Sequence, residues 1–349
     1  MDSMGDTLTS ISPRESRAWK QVEALLEREG IRRDANLDYT CGIFDDDYRL
    51  VATGSSYGST LRCFAVDKSR QGEGLLNQIV THLMEHQAER GRFHLFVYTK
   101  CQSAKFFRDI GFHEIARVEG VLSFLENRKS GFGSYCAELE KSRRDGTSAA
   151  IVMNANPFTL GHRCLVERAA AENDWVHLFV LSEEAGPIPA GVRWKLVTEG
   201  VADLQNVICH PSGPYIISSA TFPSYFLRDE EAVIRGHAML DLELFQSIAG
   251  ALGASARYVG EEPSSMVTGI YNRVMAEQLP AAGIRCEIVP RREQSGAPIS
   301  ASTVRKMIHD GRLEEIRGLV PDPTWNYFHS PEAAPVIEAI RRSGSVIHY

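Results

Sequence analysis

The chain has 349 residues, of which 43% are hydrophobic and 24% are charged, enough for about two domains with well-filled cores. Its 38 basic and 45 acidic residues give a formal charge of −7, which argues against a general nucleic-acid-binding protein. No apolar run approaches the roughly 20 residues of a membrane-spanning helix, and the polar start MDSMGDTLTS is unlike a signal peptide, so we expect a cytoplasmic protein without a membrane partner.

The first part of the chain mixes strands and helices. The predicted elements are antiparallel strands at 39–44 and 48–66, a helix at 74–90, a strand at 92–98, a short helix at 103–110 and a strand from about 111 to 118. The first helix is indicated by apolar residues that recur with helical spacing from Leu75 to Met84. Residues 1–145 are therefore predicted to form an α+β domain.

The clearest break is the charged segment ELEKSRRDGTS (138–148), which is typical of an exposed domain boundary. Beyond it, short apolar strands alternate with helices. The predicted strands are 148–154, 175–182, 206–210, 256–260 and 285–290, and helices are predicted near 161–172, 192–204, 240–252, 269–279 and 301–311. This alternation predicts a Rossmann-like doubly wound parallel sheet for residues 146–349, with ligands at the carboxyl ends of its strands.

The cysteines and histidines indicate no metal site. The seven cysteines are scattered, include no C-x-x-C pair and mostly adjoin apolar residues. This distribution is typical of reduced, buried thiols, and the histidines show no spacing of metal ligands either.

The stretch NANPFTLGHR (154–163) follows the first strand of the second domain. Pro157 fixes a turn, Gly161 permits a close approach to the backbone, and a helix is predicted to start near His162. Free N–H groups at a helix start favour an anion. Thr159 and His162 are three residues apart, so both could donate hydrogen bonds to a phosphate chain. The alternative is a threonine N-cap beside a surface histidine, because T-x-G-H alone is a weak signal.

The stretch ISASTVRKM (299–307) follows the last predicted strand and a Gly/Pro turn. Ser300 and Ser302 offer hydroxyl groups at a second helix start. Arg305 lies one turn into that helix and can reach back toward its start as a cation for phosphates. The alternative is a serine-capped amphipathic helix in which Val304 faces the core.

These two motifs, in this order, resemble the nucleotidyltransferase superfamily of the H-x-G-H type. The resemblance implies that Thr159 and His162 stabilise the α-phosphate region during AMP transfer, with Thr159 in the place of the first histidine of many members. It also implies that Ser300, Ser302 and Arg305 hold the outgoing pyrophosphate. Thr159, His162 and Arg305 are therefore the expected catalytic residues.

Four stretches narrow the resemblance: NANPFTLGHR, ATFPSYFLRD, YVGEEP and PISASTVR. With the order of the two domains, they are similar to the citrate lyase ligase family over nearly the whole chain. The resemblance implies an AMP-forming ligase that uses ATP and Mg²⁺ to activate acetate as acetyl adenylate. The acetyl group then passes to the thiol of a dephospho-CoA-derived arm on the acyl-carrier subunit of citrate lyase.

Other residues are expected to contact the nucleotide or the acyl substrate. Those assigned to the nucleotide, besides the serines above, are Asn156, Phe158, Gly161, Arg193, Gly260 and Glu261. Gly260, Glu261 and the following Glu262 could instead form a plain acidic turn, and Arg193 could be an exposed helix residue. The apolar segment ATFPSYF (220–226) is expected to line the acetate or arm pocket, with ordinary packing as the alternative.

The first domain carries a resemblance of its own. VDKSRQGEGLLNQIV (66–80) and SAKFFRDIGF (103–112) resemble the Gcn5-related N-acetyltransferase (GNAT) fold, whose glycine-rich turn binds the pyrophosphate of CoA. That resemblance implies possible CoA or arm contacts at Gln71, Gly72 and Gly74. Leu76 stands where a small residue is usual and is expected to crowd a pyrophosphate. We therefore expect docking of the CoA-like arm or its carrier, or a structural role, rather than acetyl-CoA catalysis.

Two other functions stay open on the sequence alone. One is an adenylyltransferase of a phosphorylated acceptor with a fused N-acetyltransferase, and the other is a docking module of a lyase complex. Exchange of pyrophosphate with ATP distinguishes them, because only the ligase requires acetate for it.

Overall fold

The structure, a computed structural model, describes residues 6–184, 186–216, 222, 229–261, 266–294 and 296–343. These residues form two compact units. The first comprises the described residues up to Phe132 together with residues 229–236, and the second comprises the others. None of the helices within these ranges combines the length and the apolar character that crossing a bilayer requires.

The first unit is built on a mixed sheet of seven strands in its described part. In sheet order these are β1 (Thr7–Ser10), β2 (Tyr39–Phe44), β3 (Leu50–Tyr57), β4 (Thr60–Val66), β5 (Phe96–Thr99), β7 (Leu122–Glu126) and β6 (His113–Val118). Its helices are α1 (Ser16–Arg28), α2 (Leu75–Glu89) and α3 (Ala104–Asp109).

Strands β4 and β5 are parallel, whereas the other neighbours in this sheet are antiparallel. Their ladder pairs Thr60 with Phe96 and Leu61 with Val97, near the start of β4. The later part of β4 is thus not held to β5 by this ladder, and a gap opens there. Helix α2 closes the unit by burying Leu75, Ile79 and Leu83, the stripe that its sequence predicts.

The second unit contains a parallel sheet. In sheet order its strands are β10 (Val207–Pro211), β9 (Trp175–Val180), β8 (Ser148–Met153), β11 (Ala254–Gly260) and β12 (Arg285–Val289). A short hairpin follows, β13 (Glu293–Gln294) and β14 (Ala297–Pro298). From residue 131 onward the helices are α4 (Gly131–Glu140), α5 (Leu160–Glu172), α6 (Ala190–Gly200), α7 (Glu230–Leu252), α8 (Met266–Gln278), α9 (Ala301–His309), α10 (Asp322–Phe328) and α11 (Ala334–Arg342).

The predicted fold class, an α+β domain followed by a doubly wound α/β domain, is confirmed. Chain order reverses between β8 and β11, because the chain runs outward from β8 through β9 to β10 and then returns to β11. The connections after β8 and β11 leave the sheet in opposite directions. A crevice therefore forms at the carboxyl ends of these two strands, which is where such sheets bind ligands.

Helix α4 groups with the second unit, because the compact units divide between Phe132 and Gly133. The hydroxyl of Tyr135 donates to the carbonyl oxygen of Ser212 at 2.9 Å, and its ring packs against Tyr215. The division lies before the boundary predicted between residues 145 and 146. That boundary stays a prediction, which limited proteolysis would locate.

Candidate functional site

A cavity of about 380 Å³ lies at the carboxyl ends of β8 and β11 in the second unit. The helices α5 and α9 begin at its edge, and α7 and α8 contribute side chains from the other side of the sheet. Its lining includes the predicted site residues Thr159, Gly161, His162, Gly260 and Ser300. The structure thus brings both sequence motifs to one place.

Thr159 and His162 form a capping box at the start of α5. The backbone N–H of His162 donates to Thr159 Oγ1 at 3.3 Å, and the backbone N–H of Thr159 donates to His162 Nδ1 at 3.1 Å. Thr159 Oγ1 also lies 2.9 Å from Nδ1. Thr159 is 1% exposed, so its side chain orients the imidazole and caps the helix. Thr159 is thus the N-cap residue of α5, as the alternative described.

This geometry fixes the proton of His162. A backbone N–H can only donate, so Nδ1 must be unprotonated and Nε2 must carry the hydrogen of the neutral ring. Desolvation, with the charges of Arg291 and Arg305, lowers the pKa of His162 to about 4. The ring of Phe158 stacks on the imidazole at 5.9 Å and 14°. His162 is therefore a neutral Nε2–H donor held in one orientation.

The two helix starts touch through Gly161. A Cβ atom at this glycine would lie 2.7 Å from the carbonyl oxygen of Ile299, so only glycine allows the approach. The next residue, Ser300, caps α9 by accepting a hydrogen bond from the N–H of Thr303 at 3.0 Å. The close approach that Gly161 was expected to permit is to the second motif itself, which sets the spacing of the two anion-favouring helix ends.

Arg305 joins the second motif to the first from behind the cavity wall. Its guanidinium donates to the carbonyl oxygen of Asn156 and, at 3.3 Å, to Ser302 Oγ. Arg305 is 3% exposed, and within the described ranges neither Arg305 nor Ser302 contributes to the cavity lining. The structure therefore gives Arg305 a charge close to His162 together with a positioning contact, and its direct contact with phosphate stays a prediction.

Arg193 is not the exposed helix residue that one alternative described. It is fully buried, and its guanidinium donates to the carbonyl oxygens of Asn154, Leu181, Glu183 and Ile188 and to Asn154 Oδ1. These contacts tie the end of β8 to the chain leaving β9. The donors of Arg193 thus hold the floor of the crevice together, and its contact with the triphosphate stays a prediction.

Asn156 and Phe158 also lie outside the cavity lining of the described chain. Phe158 is fully buried, packs beside Gly200, and its carbonyl oxygen accepts from Thr324 Oγ1 at 2.9 Å. Asn156 is buried, and its Oδ1 and Nδ2 have no hydrogen-bond partner among the described residues. Both residues shape the turn that precedes His162, and their contact with the nucleotide stays a prediction.

Of the residues expected to contact the nucleotide at the end of β11, only Gly260 lines the cavity in the described chain. Gly260 lines the cavity and its carbonyl oxygen accepts from Asn272 Nδ2 at 3.2 Å. Glu261 is exposed, and its backbone is held by Val289 and Arg291. Glu262 and the segment 220–226, apart from the buried Phe222, lie outside the described residues.

Sequence reasoning missed several cavity residues. Arg291 lines the cavity, and its Nε donates to the carbonyl oxygen of Glu261 at 2.7 Å. It directly follows Pro290 after β12, so the rule that places ligands at strand ends could have found it. Polar residues of α7, β11 and α8 also line the cavity, and no motif in the sequence pointed to them: His237, Asp241, Arg257, Tyr271 and Asn272.

The first unit has a separate cavity of about 630 Å³ where β4 and β5 diverge. Gln71, Gly72, Gly74 and Leu76 line it, so the structure brings the expected CoA-contacting residues together. Gly72 and Gly74 have φ values of 91° and 79°, which favour glycine, and a Cβ at either would meet no atom within 4 Å. The turn before α2 therefore offers open backbone to the cavity.

Comparison with known proteins gives a consistent result over most of the chain. Residues 148–328 match the family model of the citrate lyase ligase C-terminal domain. The [citrate [pro-3S]-lyase] ligase of Klebsiella pneumoniae is 41% identical over 88% of this chain and 91% of its own length. The ligase of the same name from Haemophilus influenzae is 36% identical over 88% of this chain and 93% of its own length. The one from Escherichia coli is 35% identical over 93% of this chain and 94% of its own length. Among solved structures, a GNAT-family acetyltransferase from Staphylococcus aureus Mu50 is 13% identical, covering 35% of this chain and 98% of its own, with a TM-score of 0.30.

Proposed function

This chain belongs to the citrate lyase ligase family, and we propose that it acetylates the thiol form of citrate lyase at the expense of ATP. Acetate and ATP give acetyl adenylate and pyrophosphate. The thiol on the acyl-carrier subunit of the lyase then takes the acetyl group and releases AMP. The need for ATP fits the predicted cytoplasmic location.

Both steps can proceed without a protein nucleophile. In the first, an acetate oxygen forms a bond to the α-phosphorus while the bond from this phosphorus to the bridging oxygen breaks, and pyrophosphate leaves. In the second, the thiol sulfur attacks the acetyl carbonyl carbon, loses its proton to solvent, and expels AMP. The protein must therefore align the reactants and stabilise negative charge on phosphate oxygens.

The observation that carries the proposal is the fixed, neutral Nε2–H donor of His162 between two helix starts. Nδ1 is turned to the backbone of Thr159, so Nε2 is the ring nitrogen left for an α-phosphate oxygen. A donor held in advance stabilises charge that grows in the transition state without reorganising first. We assign His162 this catalytic role, and Thr159 the role of holding the ring.

The outgoing pyrophosphate is proposed to leave across the start of α9. Ser300 and Gly161 present helix N-termini, and Arg291 supplies the guanidinium on the cavity side. Arg305 and Ser302 support this wall from behind. Gly260 and Glu261 remain proposed neighbours of the adenosine at the end of β11.

Magnesium is proposed to enter as part of the ATP substrate, where it neutralises phosphate charge. The described residues contain no group of three or more His, Cys, Asp or Glu side chains placed to hold a metal ion. Mg²⁺ commonly keeps several waters and relies on substrate phosphates, so a dedicated protein cage is not needed. We assign it no protein ligand.

Isotope exchange between pyrophosphate and ATP tests this function on the full chain. We expect exchange that requires acetate, and full acetyl transfer once a thiol-form lyase carrier is added. Exchange that instead needs a phosphorylated acceptor would show an adenylyltransferase, and no exchange under any condition would leave a docking module. Either of these outcomes would overturn the ligase proposal.

For the first unit, we propose that its cavity receives the CoA-like arm of the carrier without binding free acetyl-CoA tightly. The open backbone at Gly72 and Gly74 suits a phosphate of the arm. The nearby cation Arg70 is already paired with Asp6 and Glu73, which reduces its attraction for a pyrophosphate. Calorimetric titration of the full chain with acetyl-CoA should give no micromolar binding.

Leu76 provides the variant for that titration. Its side chain lines the cavity two residues after Gly74, so Leu76→Ala should strengthen binding if this side chain crowds the pyrophosphate. Micromolar affinity in the unaltered protein, or no change in Leu76→Ala, would contradict the proposal.

A further inference from the structure

The nucleotide cavity has a second wall that the phosphate chemistry does not use. We call it the inner wall, and it consists of His237 and Asp241 from α7, Arg257 from β11, and Tyr271 and Asn272 from α8. The phosphate wall described above is made by the starts of α5 and α9 with Arg291. A reaction that joins two substrates needs a second binding position beside the first.

The inner wall is organised around a buried ion pair. Arg257 Nη1 lies 2.7 Å from Asp241 Oδ2, and each side chain is 4% exposed. Tyr271 interacts with both partners, and the Arg257 guanidinium lies 4.4 Å from the centre of the Phe245 ring. This network fixes the guanidinium rigidly, which is a requirement for orienting a small ligand.

One donor in this network is unsatisfied. Arg257 Nε is buried and has no acceptor among the described residues. A buried, charged N–H without an acceptor is destabilising, and such groups are rare in native proteins. Because Arg257 lines the cavity, a ligand that brings an oxygen atom to this wall would satisfy the donor.

Apolar side chains also line the cavity. Ile216, Val259 and Met275 line it, and both Ile216 and Met275 are almost fully buried. An acyl acid here would face guanidinium and hydroxyl groups with its oxygens and side chains of fixed shape with its carbon chain. A methyl group suits so confined an environment better than a long chain.

We propose that the inner wall is the acyl-acid site, in which Arg257 Nε–H binds one oxygen of the acetate carboxylate. The other oxygen is left to attack the α-phosphorus at the phosphate wall. The lining charges agree, because Arg257, Arg291 and Asp241 sum to one positive charge beside neutral His162. This inference rests on the proposed ligase function and names the residues that recognise its acid.

Arg257→Gln tests the inference through acetate-dependent exchange of pyrophosphate with ATP. Losing a hydrogen bond from a charged group should raise the KM for acetate about 10- to 100-fold. The KM for ATP should stay within about twofold, because ATP contacts the other wall. Arg62→Gln is the matched control, since Arg62 forms an equally buried ion pair with Asp34 in the first unit. It should leave both constants unchanged.

Met275→Val provides a second, independent readout. A shorter side chain should admit a longer acyl chain, so kcat/KM for propionate relative to acetate should rise about tenfold. If circular dichroism shows that Arg257→Gln does not fold, the acid preference of Met275→Val tests the acyl-acid site instead.

The two proposals fail differently. An unaltered protein without acetate-dependent exchange would refute the ligase function. An active protein whose acetate KM is unchanged in folded Arg257→Gln would refute the acyl-acid site alone, as would unchanged acid preference in Met275→Val.

Discussion

Replacing His162 tests whether a neutral imidazole is the donor to the reacting phosphate. Its pKa is lowered from 6.5 to about 4, first by desolvation and then by Arg291 and Arg305. A shift of this size favours the neutral ring by about 3 kcal/mol, so at pH 7 roughly one molecule in a thousand carries the imidazolium. The proposed catalysis then depends on the Nε2–H group and not on a positive charge.

Two substitutions separate these roles. His162→Ala removes the donor and should lower kcat by about 10²- to 10³-fold, which corresponds to about 3–4 kcal/mol, with ATP affinity changed much less. His162→Gln keeps a neutral N–H group near the position of Nε2 and should retain more activity than the alanine variant. Initial rates of exchange of labelled pyrophosphate with ATP give kcat and KM for each variant. His309→Ala is the control, because His309 is an exposed histidine of the same unit.

The pH dependence gives the refuting result. Since the free protein holds His162 neutral, kcat/KM for ATP should show no ionisation of this residue between pH 5.5 and 8, a range that begins about 1.5 units above its pKa. A limb near pH 6.5 in the unaltered protein that disappears in His162→Gln would show a titrating imidazole and refute the neutral-donor mechanism. Equal losses of ATP affinity and kcat/KM in His162→Ala, with kcat intact, would also refute it.

Three further predictions concern stability. Arg193→Met should lower the free energy of unfolding in urea by about 3–5 kcal/mol, because several buried carbonyl groups lose their donor at once. His177 and His210 are buried, 3.0 Å apart, and burial lowers the pKa of each to about 4. The unfolded chain therefore binds more protons between pH 6.5 and 4, so stability should fall as the pH drops through this window. The urea midpoint of His210→Phe should depend less steeply on pH in this range, because one of the two histidines is removed. Gly161→Ala places a Cβ 2.7 Å from the backbone oxygen of Ile299 and should cost about 1–3 kcal/mol of unfolding free energy together with most exchange activity.

Control substitutions show which results would contradict these three predictions. Arg168→Met removes an exposed pair with Glu172 and should change stability by less than about 1 kcal/mol. Gly250→Ala, in a helix where a Cβ meets nothing within 4 Å, should stabilise by about 0.5–1 kcal/mol. Similar losses for Arg193→Met and Arg168→Met, or for the two glycine variants, would contradict the packing explanation, as would stability independent of pH below 6.5.

Much of the fold could be predicted because burial leaves a periodic pattern in the sequence. The strand predicted at 148–154 is β8, and the helix predicted at 301–311 contains α9. Helix α4 was missed, since GFGSYCAELE has little apolar periodicity and two glycines. The start of α7 was missed for a similar reason, because charged residues open it at Glu230.

The site was predictable only where chemistry follows from local sequence. The helix start with Thr159, Gly161 and His162 is a weak signal by itself and gains weight only with the second motif, whose Ser300 lines the same cavity. The pairing of Arg257 with Asp241 depends on a helix packing across a strand 16 residues away. For Arg193, the same side chain suits an exposed helix, a phosphate contact or a buried brace, and only packing decides.

The contact between Gly161 and Ile299 has a consequence for how the proposed site attracts ATP. It aligns the starts of α5 and α9, and each helix start carries the equivalent of about half a positive charge on its amide groups. Together they amount to about one unit of charge that belongs to the main chain. Protons cannot neutralise it, acetylation of lysines cannot remove it, and a single side-chain replacement cannot delete it. Part of the affinity for the triphosphate should therefore persist across pH and across variants of the surrounding side chains.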